Sequence, residues 1–227
     1  QTPPSNPLMT LLFHSELGIG LTSGNVQTWT DQIQGVAATA PSAGQRPLYG
    51  PDGAAFAGRD VVQTDYANGR CLYVTGLAGG ILPASGAMPY YAGVFRWRTT
   101  PDYGWAFALI RNASTFLFDV GNDPSGFAHS FNDPYFVQTA SAVSSSNHFV
   151  EMWMDATTLH LVIDGTAVTA GGGALSNTPT DLAIGCKSTG AETMDGSHAV
   201  HMLFSEEPDD GYKTVLRAWA QAYWGTL

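Results

Sequence analysis

Short segments rich in β-branched and aromatic residues recur along the chain and predict a series of β-strands. Gly, Pro, Asn or Asp bounds most of them, which is typical of strands joined by tight connections. The ten segments are PLMTLLFH, AAFAG, RCLYVTGL, YYAGVFRWRT, WAFALIR, TFLFDVG, HFVEMWM, TLHLVIDG, DLAIGCKS and HAVHMLFS. The stretch TAGGGALSNTPT, residues 169–180, is rich in Gly and Ser and is expected to be a long loop.

Two segments follow a helical pattern instead. The first is a short apolar piece, QGVAATA. The second is DDGYKTVLRAWAQAYWG, whose apolar stripe at helical spacing holds Tyr212, Leu216, Trp219, Ala220 and Tyr223. Asp209 or Asp210 can cap the start of this helix, and Gly225 can end it. Many short strands with one C-terminal helix predict an all-β fold, a two-sheet antiparallel sandwich or jelly roll.

The stretch HFVEMWMDATTLHLVIDGTAV, residues 148–168, predicts a hairpin of well-specified register. With the turn at DATT, antiparallel pairing gives one apolar face: Met154 opposite Leu159, Met152 opposite Leu161, and Val150 opposite Ile163. A slip by one residue would destroy this match. The other face pairs Trp153 with His160 and Glu151 with Val162, and IDGT supplies the next turn. That face is either a solvated outer surface or the floor of a binding groove.

The same two-residue alternation assigns the faces of HAVHMLFS. Its core row is expected to hold Val200, Met202 and Phe204, with His198 in the same row near the strand start. His201 then lies on the opposite face. We therefore expect His201 to share one sheet face with Glu151, Trp153 and His160.

In YYAGVFRWRT, two arginines alternate with two aromatic residues. Burying an unpaired charge is costly, so Arg96 and Arg98 are expected to face outward, while Phe95 and Trp97 face the core. The two guanidinium groups could hold an acidic sugar through forked hydrogen bonds. The simpler interpretation is that they offset nearby carboxylates in an acidic protein.

Composition and charge limit the classes of partner that the chain is expected to bind. The chain has 227 residues, which fits one domain over 8–227 after a flexible lead-in of residues 1–7. Charged residues make up only 12%, and the formal net charge is −10. Such a field repels nucleic acid and anionic membrane surfaces, and no apolar run approaches the roughly 20 residues of a membrane-spanning helix. Glycans or other protein subunits remain as partners.

Two cysteines, Cys71 and Cys186, fit either a single disulfide or two buried thiols. A disulfide closing such a long loop would stabilise the fold by roughly 3–5 kcal/mol. Two cysteines do not decide the redox compartment.

Oxygen-bearing side chains cluster in DVGNDPSGFAHSFNDPYF, and oxygen ligands in a loop suit Ca²⁺. They are Asp119, Asn122, Asp123, Asn132 and Asp133. The spacing is not that of an EF-hand, and Asx-Pro pairs also form turns. A calcium site and a set of ordinary turns are both open.

The opening stretch LLFHSELGIGLTSGNVQTWTDQIQGVAATA, with the later RPLYG, resembles the start of laminin-G-like, concanavalin A-like lectin-glucanase domains of bacterial and phage proteins. Residues matching that family's V-x-x-W-x-D, RP and F-x-G-x-D segments are Val26, Trp29, Asp31, Arg46, Pro47, Phe56, Gly58 and Asp60. LHLVIDGTAV, LAIGCKS and the C-terminal strand with its helix are similar to later parts of the family pattern. The resemblance covers nearly the whole chain and implies a concanavalin A-like jelly roll.

Domains of this kind resemble lectins, carbohydrate-binding modules, glycanases and polysaccharide lyases, so the resemblance implies glycan recognition. Glycanase members with paired acids carry an E-x-D-x-E-type strand. This chain has EMWMD, with Glu151 and Asp155 four apart and no acid between them, which disfavours a retaining glycanase.

Trp153, His160, Glu151 and His201 would form a sugar-binding face if that face is open. Sugars stack on indole and need paired donors and acceptors for their hydroxyls. An acid near two imidazoles could also do general acid–base work, which makes Glu151, His160 and His201 the candidate catalytic residues. The simpler interpretation is a covered or solvated face.

The leading hypothesis is a non-catalytic carbohydrate-binding or adhesion module acting on an extracellular or surface glycan. A second is a structural or decoration protein of a phage particle or surface layer. A third is a polysaccharide-cleaving enzyme on the same fold. All three place the chain outside cells, on a cell surface or on a virion.

Overall fold

The computed structural model describes residues 1–77, 80–98, 103–111, 115–126, 128–132, 134–143, 145–187 and 193–226. The strands are β1 (Met9–His14), β2 (Ile19–Thr22), β3 (Asn25–Thr30), β4 (Ala37–Thr39), β5 (Leu48–Pro51), β6 (Asp60–Thr64), β7 (Leu72–Val74), β8 (Tyr90–Trp97), β9 (Gly104–Arg111), β10 (Thr115–Asn122), β11 (Ala128–Asn132), β12 (Tyr135–Gln138), β13 (His148–Met154), β14 (Thr158–Ile163), β15 (Thr166–Gly171), β16 (Asp181–Ile184) and β17 (Gly196–Phe204). Helix α1 spans Asp210–Trp224. The predicted all-β fold, an antiparallel jelly-roll sandwich with a short C-terminal helix, is confirmed.

The strands form one continuous hydrogen-bonded network that folds into two layers. The first layer runs β1-β17-β8-β13-β14-β15. The second layer runs β4-β7-β16-β9-β10-β11-β12. Strands β3, β5 and β6 join the layers, because β3 pairs with β4 while β6 pairs with β17.

Side chains from the two layers meet in the main hydrophobic core. Met152 and Leu161 of the first layer are buried there with Phe107 and Leu109 of the second. Tyr91 of β8 stacks on Phe107 of β9 with ring centroids 4.6 Å apart, so the two layers face each other directly.

The predicted hairpin is confirmed in register and in both turns. Its cross-strand pairs are Val150–Ile163, Glu151–Val162, Met152–Leu161, Trp153–His160 and Met154–Leu159. The amide of Asp155 donates to the carbonyl of Thr158 over 3.0 Å and closes the first turn. The next turn has positive φ at Asp164 (49°) and Gly165 (83°), the combination that a two-residue hairpin turn requires.

Helix α1 covers the outer face of the first layer. Asp209 caps it by accepting from the amide of Tyr212 over 2.8 Å, and Gly225 ends it at φ 65°, as predicted. Its buried stripe packs in one cluster with apolar residues of β8, β13 and β17. No helix in the described part of the chain is both long and apolar enough to span a membrane.

The second layer carries a smaller cluster on its outer face. Cys71 and Cys186 form a disulfide there, so of the two alternatives the disulfide is confirmed. Ala108, Ile110 and Ala183 are buried beside it.

Three local predictions were wrong. QGVAATA contains strand β4 (Ala37–Thr39) rather than a helix, because it pairs with β3 and β7. AAFAG is a 3₁₀ turn over Ala55–Gly58, with positive φ at Phe56 and Ala57, rather than a strand. The loop expected from residue 169 begins later, because β15 continues through Gly171.

Residues 1–7, expected to be a flexible lead-in, lie against α1 and β1. The hydroxyl of Tyr212 donates to the carbonyl of Pro4 over 2.8 Å. The Nε2 of His14 lies 3.1 Å from the carbonyl of Gln1. These contacts place the N-terminal segment beside the face that the helix covers.

The Trp and Asp of the V-x-x-W-x-D segment, which carried part of the family resemblance, are buried and hydrogen-bonded. Trp29 is fully buried in the core and donates from its indole nitrogen to the carbonyl of His14 over 3.1 Å. Asp31 is buried as well, and its carboxylate accepts from the amides of Leu12 and Gln34. The V-x-x-W-x-D pattern thus ties β3 to β1.

Candidate functional site

Trp153 and His160 lie side by side on the outer face of the first layer, at the edge of helix α1. Their rings are stacked at 4.5 Å with an angle of 3°. The ring of Tyr90 lies 5.8 Å from Trp153 in the neighbouring strand, and the ammonium of Lys213 lies 4.9 Å from the indole centroid. Trp153 is therefore surrounded by protein groups. His160 is partly exposed and lies 3.0 Å from the carboxylate of Asp155.

Glu151 is fully buried beneath the helix, so of the alternatives left open for this row a covered face describes Glu151. Arg217 of α1 donates to its carboxylate twice, from Nε over 2.6 Å and from Nη2 over 3.1 Å. The hydroxyl of Tyr90 donates to the same carboxylate. This hydrogen bonding raises the pKa of Arg217, and burial followed by the field of Glu151 raises that of Tyr90. Glu151 anchors the helix to the sheet.

His201 points into the core between the layers, not toward Trp153, which corrects the expectation of a shared face. A bulge between His198 and Val200 shifts the register of β17 against β8. His201 is 1% exposed, and its ring stacks on that of Phe95 with centroids 6.0 Å apart. The three candidate catalytic residues are thus divided between the two faces of the first layer.

Both faces of β17 are buried, which explains the wrong assignment. Val200, Met202 and Phe204 pack beneath α1 rather than in the core between the layers. Leu203 occupies the inter-layer core. Because a helix covers one face and the second layer covers the other, alternation alone does not say which row points inward.

Four buried side chains form a hydrogen-bonded chain through the core: Tyr91, His201, His198 and Thr64. Tyr91 OH lies 2.7 Å from His201 Nδ1, His201 Nε2 lies 3.1 Å from His198 Nδ1, and His198 Nε2 lies 3.0 Å from Thr64 Oγ1. The Thr64 hydroxyl donates to the carbonyl of Met194 over 2.7 Å. Every group finds a partner when both imidazoles are neutral and carry their proton on Nε2.

This chain requires uncharged histidines. Burial lowers the pKa of His198 to about 3 and lowers that of His201 well below its usual range. Burial likewise raises the pKa of Tyr91. The two imidazoles therefore complete a neutral polar network inside the core, where a proton would be costly.

Arg96 and Arg98 face outward beside Phe95 and Trp97, which are buried as predicted. Both guanidinium groups donate to Asp52 Oδ2, over 3.1 Å and 3.0 Å. These contacts tie the segment after β5 to the end of β8, so the ion-pair interpretation describes the observed geometry.

The expected calcium loop is largely made of strands. Asp119 lies within β10 and is fully buried, Asn122 ends that strand, and Asp123 lies in the turn that follows. Asp133 is outside the described residues. Within the part that the structure describes, no group of three or more His, Cys, Asp or Glu side chains is arranged to hold a metal ion. Asp119 and Asn122 therefore lie in a paired strand rather than in a loop, and the calcium site stays a prediction.

A group of four rings lies on the outer face of the second layer, and the sequence interpretation missed it. We call it the aromatic cluster: Tyr103, Trp105, His129 and Phe136. Tyr103 and Phe136 are 44% and 47% exposed, whereas His129 is buried between the other rings. The His129 ring lies 5.6 Å from Tyr103, 4.7 Å from Trp105 and 5.9 Å from Phe136.

Strand register brings these rings together. Trp105 of β9 and His129 of β11 both lie opposite Gly121 of β10, and His129 lies opposite Gln138 of β12. A Cβ at Gly121 would lie 2.0 Å from the carbonyl oxygen of Gly104 and 3.2 Å from the His129 ring. Glycine is therefore required where the two rings approach each other across β10.

Polar groups border the aromatic cluster. Asp123 accepts from the side-chain amide of Gln138 over 2.6 Å and from the amide of Ser125 over 2.8 Å. Burial lowers the pKa of His129 to about 4, although the field of Asp123 acts to raise it. Neither ring nitrogen of His129 has a hydrogen-bond partner within the described structure. As a neutral imidazole it offers one donor and one acceptor.

The sequence carried little signal for this surface. AHSFN and YFVQ do not alternate apolar with polar residues, and His129 and Gln138 share one face because β11 and β12 pair them directly. Tyr103 and Trp105 are far from His129 and Phe136 in sequence, so only the strand order of the second layer brings the four rings together.

No protein-family model matches the chain, and no curated protein matches its sequence. Solved structures do match it. The binding domain of botulinum neurotoxin DC in complex with SialylT is 14% identical, with a TM-score of 0.59, and the match covers 97% of this chain and 55% of that one. Trypanosoma rangeli sialidase in complex with 2,3-difluorosialic acid is 13% identical, with a TM-score of 0.60, and the match covers 96% and 33%.

A second botulinum neurotoxin DC structure, with rat synaptotagmin II, is 13% identical with a TM-score of 0.57, covering 89% of this chain and 55% of that one. The chain thus spans about half of the neurotoxin binding domain (55%) and a third of the sialidase (33%). At these identities the likeness concerns the fold alone, a β-sandwich.

Proposed function

We propose that this chain is a non-catalytic carbohydrate-binding or adhesion module for an extracellular or surface glycan, and that it binds through the aromatic cluster. The observation that carries the proposal is the pair of exposed rings, Tyr103 and Phe136, on the sheet face opposite the helix-covered layer. Sugar C–H faces pack on such rings, and sugar hydroxyls need donors and acceptors beside them.

The polar border supports the same use. Asp123 provides carboxylate oxygens, Gln138 an amide, and Tyr103 a phenolic hydroxyl at the edge of the rings. The first layer is a poorer candidate, since α1 covers Glu151 and neighbouring rings enclose Trp153.

Two further points favour this role. The Cys71–Cys186 disulfide suits an oxidising compartment, as expected outside the cytosol. A β-sandwich of similar fold occurs in a neurotoxin binding domain solved with SialylT and in a sialidase. Those ligands belong to those proteins, and the fold is compatible with glycan recognition here.

The test is a glycan array probed with the wild-type chain and with Tyr103→Ala and Phe136→Ala. Each loss of an exposed ring is expected to weaken binding about tenfold, since ring stacking contributes about 0.5–1.5 kcal/mol beyond its buried area. Tyr66→Ala, at an exposed tyrosine in the turn after β6, is the matched control and should bind like the wild type.

Four results would contradict the proposal. One is an array with no bound glycan, and another is full binding by Tyr103→Ala and Phe136→Ala. Weakened binding on His160→Ala alone would instead move the site to the first layer. Release of new reducing ends from a bound polysaccharide would show that the module is catalytic.

A further inference from the structure

Resting on the function proposed above, we infer that the aromatic cluster selects uncharged sugars and discriminates against sialylated ones. The inference concerns the ligand's charge, a property that the fold does not determine. It follows from the charges and hydrogen-bonding groups around the cluster.

The charge beside the cluster is negative. Asp123 is the described group whose field reaches His129, and its carboxylate is held in place by Gln138 and Ser125. The chain as a whole carries a formal charge of −10. A sialic acid carboxylate brought to these rings would meet repulsion from a fixed carboxylate at short range.

Most cations of the chain are engaged elsewhere. Of nine Lys and Arg residues, six have partners at other places: Arg59 with Glu16, Arg96 and Arg98 with Asp52, Arg111 with Asn177, Lys213 with Glu207, and Arg217 with Glu151. A planar, bidentate guanidinium is the group that best recognises a carboxylate, and these arginines already use theirs within the fold.

The polar groups beside the aromatic cluster suit sugar hydroxyls. The amide of Gln138, the carboxylate of Asp123 and the phenol of Tyr103 can pair with neutral sugar hydroxyls, which both donate and accept. Because burial keeps His129 neutral until the pH approaches about 4, mild acid does not create a cation at the cluster. The preference for uncharged over sialylated sugars is therefore expected to be constant between about pH 5 and pH 8.

The experiment compares matched probes on the intact chain: lactose against 3′-sialyllactose, and N-acetyllactosamine against its α2,3-sialylated form. Titration calorimetry and saturation-transfer NMR measure each affinity. The neutral member of each pair is expected to bind at least about tenfold more tightly at low salt, with a smaller ratio at high salt because exposed charges are screened.

Asp123→Asn tests whether the carboxylate of Asp123 causes the discrimination against sialylated sugars. Removing this charge is expected to bring the affinity for the sialylated probe to within about threefold of the affinity of the same variant for the neutral probe. Asp60→Asn, at an exposed carboxylate that starts β6, removes the same net charge away from the cluster and should keep the wild-type ratio. Circular dichroism checks that both variants fold.

The outcomes separate the two proposals. Equal or tighter binding of the sialylated probes would overturn the selectivity and leave glycan binding intact. An equal effect of Asp60→Asn would overturn the local cause. Binding of neither member of a pair, together with an empty array, would refute the glycan-binding function and this inference with it.

Discussion

Acidification should destabilise the fold through the buried chain of Tyr91, His201, His198 and Thr64. An unfolded histidine has a pKa of about 6.5, whereas burial lowers the pKa of His198 to about 3 and that of His201 well below its usual range. Between these limits the unfolded chain binds protons that the folded chain does not. The free energy of unfolding therefore falls as the pH falls below about 6.5, and the full contribution is present above that value.

The magnitude follows from the proton uptake. At about pH 5 each such histidine lowers the free energy of unfolding by about 2 kcal/mol, so the pair accounts for about 4 kcal/mol. His129, with its pKa lowered to about 4, adds about 2 kcal/mol in the same direction. Carboxylates with lowered pKa values, such as that of Asp52, lose their contribution mainly at still lower pH.

Urea denaturation at a series of pH values between about 7.5 and 5 measures this loss in the free energy of unfolding. A constant m-value across the series checks that unfolding remains two-state. Nitrogen-15 spectra of the imidazoles test the cause directly. His198 and His201 should both be protonated on Nε2 and unprotonated on Nδ1 at neutral pH, and neither should titrate above about pH 5. Ring signals that titrate near 6.5, or a flat stability across this range, would refute the reasoning.

Two further predictions concern stability. Arg217→Ala leaves the buried carboxylate of Glu151 without its main partner, so the free energy of unfolding should fall by about 1–3 kcal/mol, a value reduced by the partial exposure of the Arg217 side chain. The double variant with Glu151→Leu should recover most of this loss, and an unchanged midpoint in urea denaturation of Arg217→Ala would argue against this anchor. Replacing Cys71 and Cys186 by Ser opens a link across 115 residues and should cost about 4–5 kcal/mol; an unchanged melting temperature would contradict that expectation.

Much of the architecture could be predicted from local pattern. The hairpin of β13 and β14 has one register that matches apolar with apolar residues, and IDGT provides the next turn. Asp209 and Gly225 bracket α1 because capping chemistry is local. These features depend on neighbours in sequence, so they could be inferred without knowing where the element packs.

The candidate site could not be predicted in the same way. His201 was assigned to the wrong face because both rows of β17 are buried and a bulge changes the phase. Glu151 sat on the predicted face, but nothing in its own strand indicates that Arg217, 66 residues later, covers it.

The sequence by itself determined the all-β class, the hairpin register and the caps of the terminal helix, because each follows from side-chain periodicity and turn chemistry over a few residues. Only the tertiary structure decided which sheet face the helix covers and which rings meet on the other layer. Tyr103, Trp105, His129 and Phe136 come together through pairings of β9, β10, β11 and β12, and Gly121 leaves the space between them. A surface built from separate strands has no local signature, so strand order and layer packing decide where it forms.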